Sequence, residues 1–231
     1  MAGKVFLTGD THIPIDISKL KKSKFKEQKE LDKDDFLIVL GDFGLIWQYE
    51  PDNTEKYWTE VLNNKNFTTL FVDGNHENHK RLNSMPVETW HGGKVHKITD
   101  SIIHLMRGQV FEIHGHTYFT FGGAASTDKQ LRIRDKSWWE EEICNFQEQE
   151  EAFANLEKYN NKVDYVLSHT CPSDLLPTMF QYRIYRDTTG SFLNMISKEI
   201  KFNHWFFGHF HENKTMDKFT CLYNEIQDLD S

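Results

Sequence analysis

Cysteine is scarce in this sequence: three residues in 231, at positions 144, 171 and 221, with no C-x-x-C spacing. A small, odd and scattered set of thiols argues against a disulfide framework and against a cysteine zinc site. Long apolar runs are missing too. No stretch approaches the roughly 20 residues that a membrane-spanning helix needs, and residues 4–8 already form a β-type run with no apolar signal segment before them. The expected setting is a reducing cytoplasm, with no membrane partner. Basic excess is also lacking. The net charge of −8 is no footprint of a nucleic-acid coat protein, although a local basic patch remains compatible with it.

What the sequence does have is an apolar content of 38%, an aromatic content of 14% and twelve histidines. That composition folds, and the length suits one α/β domain over residues 1–231. Five β-rich runs stand out, at residues 4–8, 36–40, 68–72, 163–167 and 204–207. Each ends in polar residues: Asp10-Thr11-His12, Gly41-Asp42, Gly74-Asn75-His76-Glu77, Ser168-His169 and Gly208-His209-Phe210-His211. Residues two apart in extended chain project to one side, so Asp10 converges with His12, and His209 with His211. Any one of these motifs alone reads as a turn with a surface histidine. Five strand ends of one kind are a different matter. Oxygen and imidazole donors gathered at a sheet edge, without cysteine, make a site for two divalent cations. A mixed His, carboxylate and amide set suits manganese first, with iron, zinc or cobalt as alternatives, over magnesium or calcium.

The remaining stretches read as scaffold, with one exception. Residues 18–35 are an exposed charged face, 54–64 a helix with Tyr57, Trp58, Val61 and Leu62 on its apolar side, and 78–91 a loop or short helix with a solvated His79. Residues 102–106, 109–113 and 117–121 read as a meander whose turn holds His114 and His116. Residues 147–159 and 189–200 read as helices, the first with Phe153 and Leu156 inward, and 214–223 as a closing hairpin. The exception is 122–142, where Gly-Gly-Ala-Ala-Ser precedes Lys129, Arg132, Arg134, Lys136, Trp138, Trp139 and three glutamates. Cations beside aromatics suit a phosphorylated substrate, a nucleotide base or single-stranded nucleic acid. The plainer account is a capping box, Ser137-x-x-Glu140, opening a helix over packed tryptophans.

As a set, the five motifs resemble those of the calcineurin-like metallophosphoesterases: D-x-H, G-D, G-N-H-[DE], H and G-H-x-H. The likeness runs from Asp10 to His211, and the 122–142 stretch resembles a bacterial and phage branch of that family. It implies an α/β four-layer sandwich, two mixed β-sheets packed face to face and flanked by helices. It further implies that Asp10, His12 and His211 bind one metal ion, Asn75, His169 and His209 another, and that Asp42 bridges them. A hydroxide shared by the two ions would attack phosphorus in line while His76 assists the leaving group. The substrate expected is a phosphomonoester or small phosphodiester, a phosphorylated small molecule or nucleotide. Residues 123–150 and 172–190 would be the variable segments beside it, with Arg132 and Arg134 as candidate contacts and Arg183 and Arg186 nearby in the chain. Two alternatives stand: a nuclease or phosphodiesterase on nucleic acid, which the acidity disfavours, and a metal-free scaffold, which would require broken ligand positions. The G-D-x-x-D-R signature of protein phosphatases is absent, because Phe43, Gly44, Leu45 and Ile46 follow Asp42. A protein phosphatase is thereby disfavoured, and the group that orients His76 is left unassigned, as is the oligomeric state.

Overall fold

Alternation of side chains along the first strands decides the layering. The computed structural model describes residues 3–181 and 187–229, so Arg183 and Arg186 lie outside the described residues. In β1 (Val5–Thr8), Val5 and Leu7 face one core while Phe6 faces another. In β2 (Phe36–Leu40), Phe36, Ile38 and Leu40 join the first core, and Leu37 and Val39 the second. Strands buried on both faces in this way belong to the middle of a layered α/β structure.

The strands that follow are β3 (Thr68–Val72), β4 (Val87–Trp90), β5 (Gly93–Thr99), β6 (Ile102–Leu105), β7 (Gln109–Ile113) and β8 (His116–Phe121). The last five are β9 (Tyr165–Ser168), β10 (His204–Phe207), β11 (Lys214–Met216), β12 (Phe219–Cys221) and β13 (Ile226–Asp228). They form a seven-stranded sheet in the order β13-β1-β2-β3-β6-β5-β4 and a six-stranded sheet in the order β11-β12-β10-β9-β8-β7. Both sheets are mixed: β1, β2, β3 and β6 run parallel in one, β8, β9, β10 and β12 in the other, and the outer pairs are antiparallel.

The core between the sheets joins Leu7, Ile38 and Leu70 to Phe111, Tyr118, Leu167 and Phe206. Helices α1 (Asn53–Asn63) and α2 (His79–Asn83) cover the outer face of the larger sheet through Leu62 and Leu82. Helices α3 (Phe146–Lys158), α4 (Leu176–Met179) and α5 (Thr188–Glu199) cover the smaller sheet through Leu156, Met179 and Phe192. This is the four-layer α/β sandwich that the resemblance implies.

Several local expectations change. The three runs expected as one meander divide between the sheets, because β6 pairs with β3 and β5 while β7 opens the other sheet at the Arg107-Gly108 turn. Residues 87–99, within and beyond the expected loop, pair as the β4–β5 hairpin. The capping box is not Ser137-x-x-Glu140, since Ser137 Oγ accepts the Ile133 N–H and residues Glu140–Glu142 form a short 3-10 turn. It lies further along the chain, where Asn145 and Glu148 cap each other's backbone at the start of α3. Phe153 is half-exposed against Phe192, leaving Leu156 and Ala152 as the buried side of α3. Tyr57 on α1 is mostly exposed as well.

Candidate metal centre

Parallel strands bring their C-terminal ends to one edge, so the segments after β1, β2 and β3 meet those after β9 and β10 across the sandwich. Donor atoms of Asp10, His12, Asp42 and His211 all lie within 4.8 Å of one another, and so do those of Asp42, His169 and His209. Asp42 belongs to both groups. Its Oδ2 is 3.1 Å from His12 Nε2 and its Oδ1 is 3.3 Å from His169 Nε2. Asn75 joins the second group with Oδ1 at 3.2 Å from His169 Nε2. Every ligand position expected from the sequence is thus drawn into one cluster.

The backbone there is held in unusual conformations. His12, Asp42, His209 and His211 have φ of 34°, 46°, 68° and 52°, values that persist only where surrounding contacts over-determine them. Gly41 supplies a closer approach still. A Cβ at that position would lie 2.1 Å from His169 Nδ1, so only glycine lets the two ligand segments touch.

Donors around the cluster set the ring orientations. His169 Nδ1 donates to the Leu40 carbonyl at 2.8 Å, which leaves Nε2 as the free ligand atom. His209 donates its backbone N–H to Asp10 Oδ1, and His76 its backbone N–H to Asp42 Oδ1 at 2.7 Å. Lys19, expected on an exposed face, is instead buried, and its Nζ donates to the carbonyls of Gly9, Asp10 and Tyr223. Glu77 is wholly buried and accepts the N–H groups of Phe43, Gly44 and Gly74, tying the Asp42 loop to the Asn75 loop.

The electrostatics call for cations. Asp10 Oδ2 is fully buried and, among the described residues, receives no well-directed hydrogen bond, although His211 Nε2 stands 3.0 Å away. A buried carboxylate oxygen without a donor is costly unless a positive charge sits against it. Burial alone would depress the rings of His12 and His169, but Asp42 reverses this and raises them to about 9 and about 10. Against the opposing cost of burial, His169 and His12 hold Asp42 well below the usual carboxylate range. Without metal, His12 and His169 therefore hold protons beside Asp42, while burial and the neighbouring His169 push His209 down to about 3; the donor set fits two divalent cations.

His76 stands at the rim. Its ring stacks on Trp47 at 5.5 Å and 19°, and Trp47 in turn meets the buried Trp139 edge-on. Arg132 Nη2 donates to His76 Nε2 at 2.9 Å, which places the ring proton on Nδ1. Trp47 and Arg132 therefore hold the ring that lacks an orienting aspartate. Arg134 points elsewhere: it is largely exposed and pairs with Glu140 at 2.6 Å. His79 is buried 3.8 Å from Asp73, not solvated as expected, and Asp73 also receives Arg107 and His104. The sequence carried a signal for Glu77, the fourth residue of G-N-H-E. It carried none for Lys19, one charge among many.

A family profile described as calcineurin-like phosphoesterase matches residues 3–213. No curated protein matches the chain. A solved structure from Staphylococcus aureus, provisionally titled a 5′-nucleotidase in complex with α-ketoglutarate, aligns with a TM-score of 0.45 at 15% identity. The alignment covers 95% of this chain and 48% of that one, so this chain spans about half the length of the structure it matches.

Proposed function

The chain belongs to the calcineurin-like phosphoesterase family, and from that premise we propose that it hydrolyses phosphoesters with two divalent cations held between its sheets. The substrate class proposed is a phosphomonoester or a small phosphodiester, and the first metal to try is manganese. One observation carries this reading: Asp42 is shared by both donor groups, one carboxylate oxygen toward His12 and the other toward His169. A carboxylate so placed could serve both cations at once. Asp10, His12 and His211 would complete one coordination shell, and Asn75, His169 and His209 the other. When bound, the cations would act as Lewis acids, lowering the pKa of water and neutralising phosphoryl charge.

The chain's own residues do the rest. His76 lies at the rim with its backbone fixed to Asp42 and its ring fixed to Trp47. An anionic phosphoryl oxygen is a stronger acceptor than a neutral imidazole. Substrate would therefore take the Arg132 Nη2 donor and free His76 Nε2, which would take up a proton from solvent and pass it to the departing oxygen. Arg132 stays aimed through its other nitrogens, which hold Asp128 at 2.7 Å and the Ser137 carbonyl at 3.1 Å.

The deciding experiment compares a phosphomonoester and a phosphodiester of one nitrophenol, with Mn²⁺ and with chelator, in wild type and His76→Ala. Metal-dependent turnover that falls roughly 10²–10⁴-fold in His76→Ala, with Mn²⁺ content unchanged, supports the assignment. Loss of Mn²⁺ in that variant would make His76 a ligand. A strong diester preference would favour nucleotide or nucleic-acid substrates, and no Mn²⁺ binding in wild type would overturn the reading.

A further inference from the structure

The amide of Asn75 has two ends of nearly equal shape, and only its oxygen can ligate a cation. What decides which end faces the cluster lies in the stretch after β8. There, Gly122 packs so closely that a Cβ would lie 2.2 Å from Asp73 Oδ1, and the Gly123 N–H donates to the Asp73 carbonyl at 2.8 Å. The segment is thus pinned to the loop that bears Asn75. It then places the buried Ser126 Oγ 3.2 Å from Asn75 Nδ2.

Ser126 has one hydroxyl proton, and Glu142 takes it. The Glu142 carboxylate is wholly buried; Oε2 accepts from Ser126 Oγ at 2.8 Å, and Oε1 accepts the Ser126 N–H, also at 2.8 Å. Lys129 Nζ, 2.8 Å from Oε1, supplies the counter-charge. Surrounded by donors, the carboxylate can only accept. The serine oxygen therefore meets Asn75 as an acceptor, and the amide must offer its NH₂. Its Oδ1 is left facing His169 Nε2 at 3.2 Å.

We propose that Lys129, Glu142 and Ser126 form a directional hydrogen-bond relay that turns the Asn75 amide oxygen toward the second cation position. These are positioning residues, acting through Asn75 on one of the two cation positions. The relay rests on the ligand assignment above. It also gives the 122–142 stretch a task that neither a capping box nor a substrate-binding patch describes.

Mn²⁺ binding to the full chain, followed by calorimetry and by metal content after dialysis, tests the relay. The variants are Ser126→Ala, which removes the acceptor, and Glu142→Gln, which keeps the shape but lets an amide donate to Ser126 and reverse the polarity. Both should weaken one of two Mn²⁺ ions by about 10–100-fold and leave the other unchanged. The melting temperature of the metal-free variants separates this from a packing role, which would lower melting with both affinities intact. Unchanged affinities in both variants would overturn the relay, and so would equal weakening of both ions, since Asn75 belongs to one group only. Absence of Mn²⁺ binding in wild type would instead overturn the underlying site, so the two failures are distinguishable.

Discussion

The two sheets contribute different chemistry to the same edge. The larger sheet delivers every oxygen donor, Asp10, Asp42 and Asn75, together with His12 and the rim residue His76. The smaller sheet delivers imidazoles alone: His169, His209 and His211. Neither set completes a coordination shell. Each group of donors takes members from both sheets, so the site exists only once the sandwich has closed over its shared core. The contrast implies that cations held at this edge would join the two sheets as well as serve chemistry.

That implication can be broken at Asp42, the one side chain common to both groups. Asp42→Asn keeps the shape but removes the shared charge. Metal content should fall at both positions, and hydrolysis of the nitrophenyl esters should drop about 10³-fold, the equivalent of several kcal/mol of lost charge stabilisation. Normal metal content in that variant would show that the charge shared between the two groups is not what holds the ions.

Removing the ions tests the joining role directly. At a Mn²⁺ concentration 100-fold above its dissociation constant, binding to the folded state alone stabilises it by about 2.7 kcal/mol. For a domain of this size that corresponds to roughly 5–10 °C in melting temperature. Chelator should therefore lower melting by that amount in wild type and by much less in Asp42→Asn.

Glu77 sharpens the comparison within the larger sheet, because it clamps two of that sheet's loops without being a ligand. Glu77→Gln turns an amide NH₂ toward a backbone donor and should cost about 1–3 kcal/mol in denaturant unfolding of the metal-free protein. An unchanged midpoint would mean that the loops are held by other contacts.

The smallest effect belongs to the opposite end of the smaller sheet. Asp164 precedes β9 and accepts the N–H and hydroxyl of Thr117 at 2.8 and 2.9 Å. Burial opposes its ionisation, but those donors and His116 lower its pKa. A lowered folded pKa means stability that is present above the unfolded value near 3.8 and is lost as pH falls through the folded value. Asp164→Asn should cost under about 1 kcal/mol at pH 7, and its melting should converge on that of wild type as the solution is acidified. A gap that widened with acid would contradict the assignment.

Much of this was legible along the chain. Each ligand strand is a short β-rich run closed by a donor, but the two-residue period of extended chain does not aim them: His12, His209 and His211 lie past the strand ends at positive φ, and His209 and His211 fall in different donor groups. The misreadings share one cause. Lys19 and His79 look like solvated residues by composition, and their burial depends on which backbone carbonyls or carboxylates the fold carries to them. Ser137-x-x-Glu140 and Asn145-x-x-Glu148 are equally good capping patterns. Only the second opens a helix, while the first lies in the turn that carries Glu142 to Ser126. The division of β6 from β7 was equally hidden, because a strand run does not state which sheet it joins.

By itself, the sequence determined which donors exist and at which strand ends they sit, since both follow from residue type and from a periodicity that acts over a few residues. Tertiary structure alone decided how those donors are aimed. His76 is held by Arg132, 56 positions away, and the end of the Asn75 amide that faces the cluster is set by Ser126, 51 positions away. A hydrogen bond has a direction that depends on where its partner lies in space, and no local pattern carries that information.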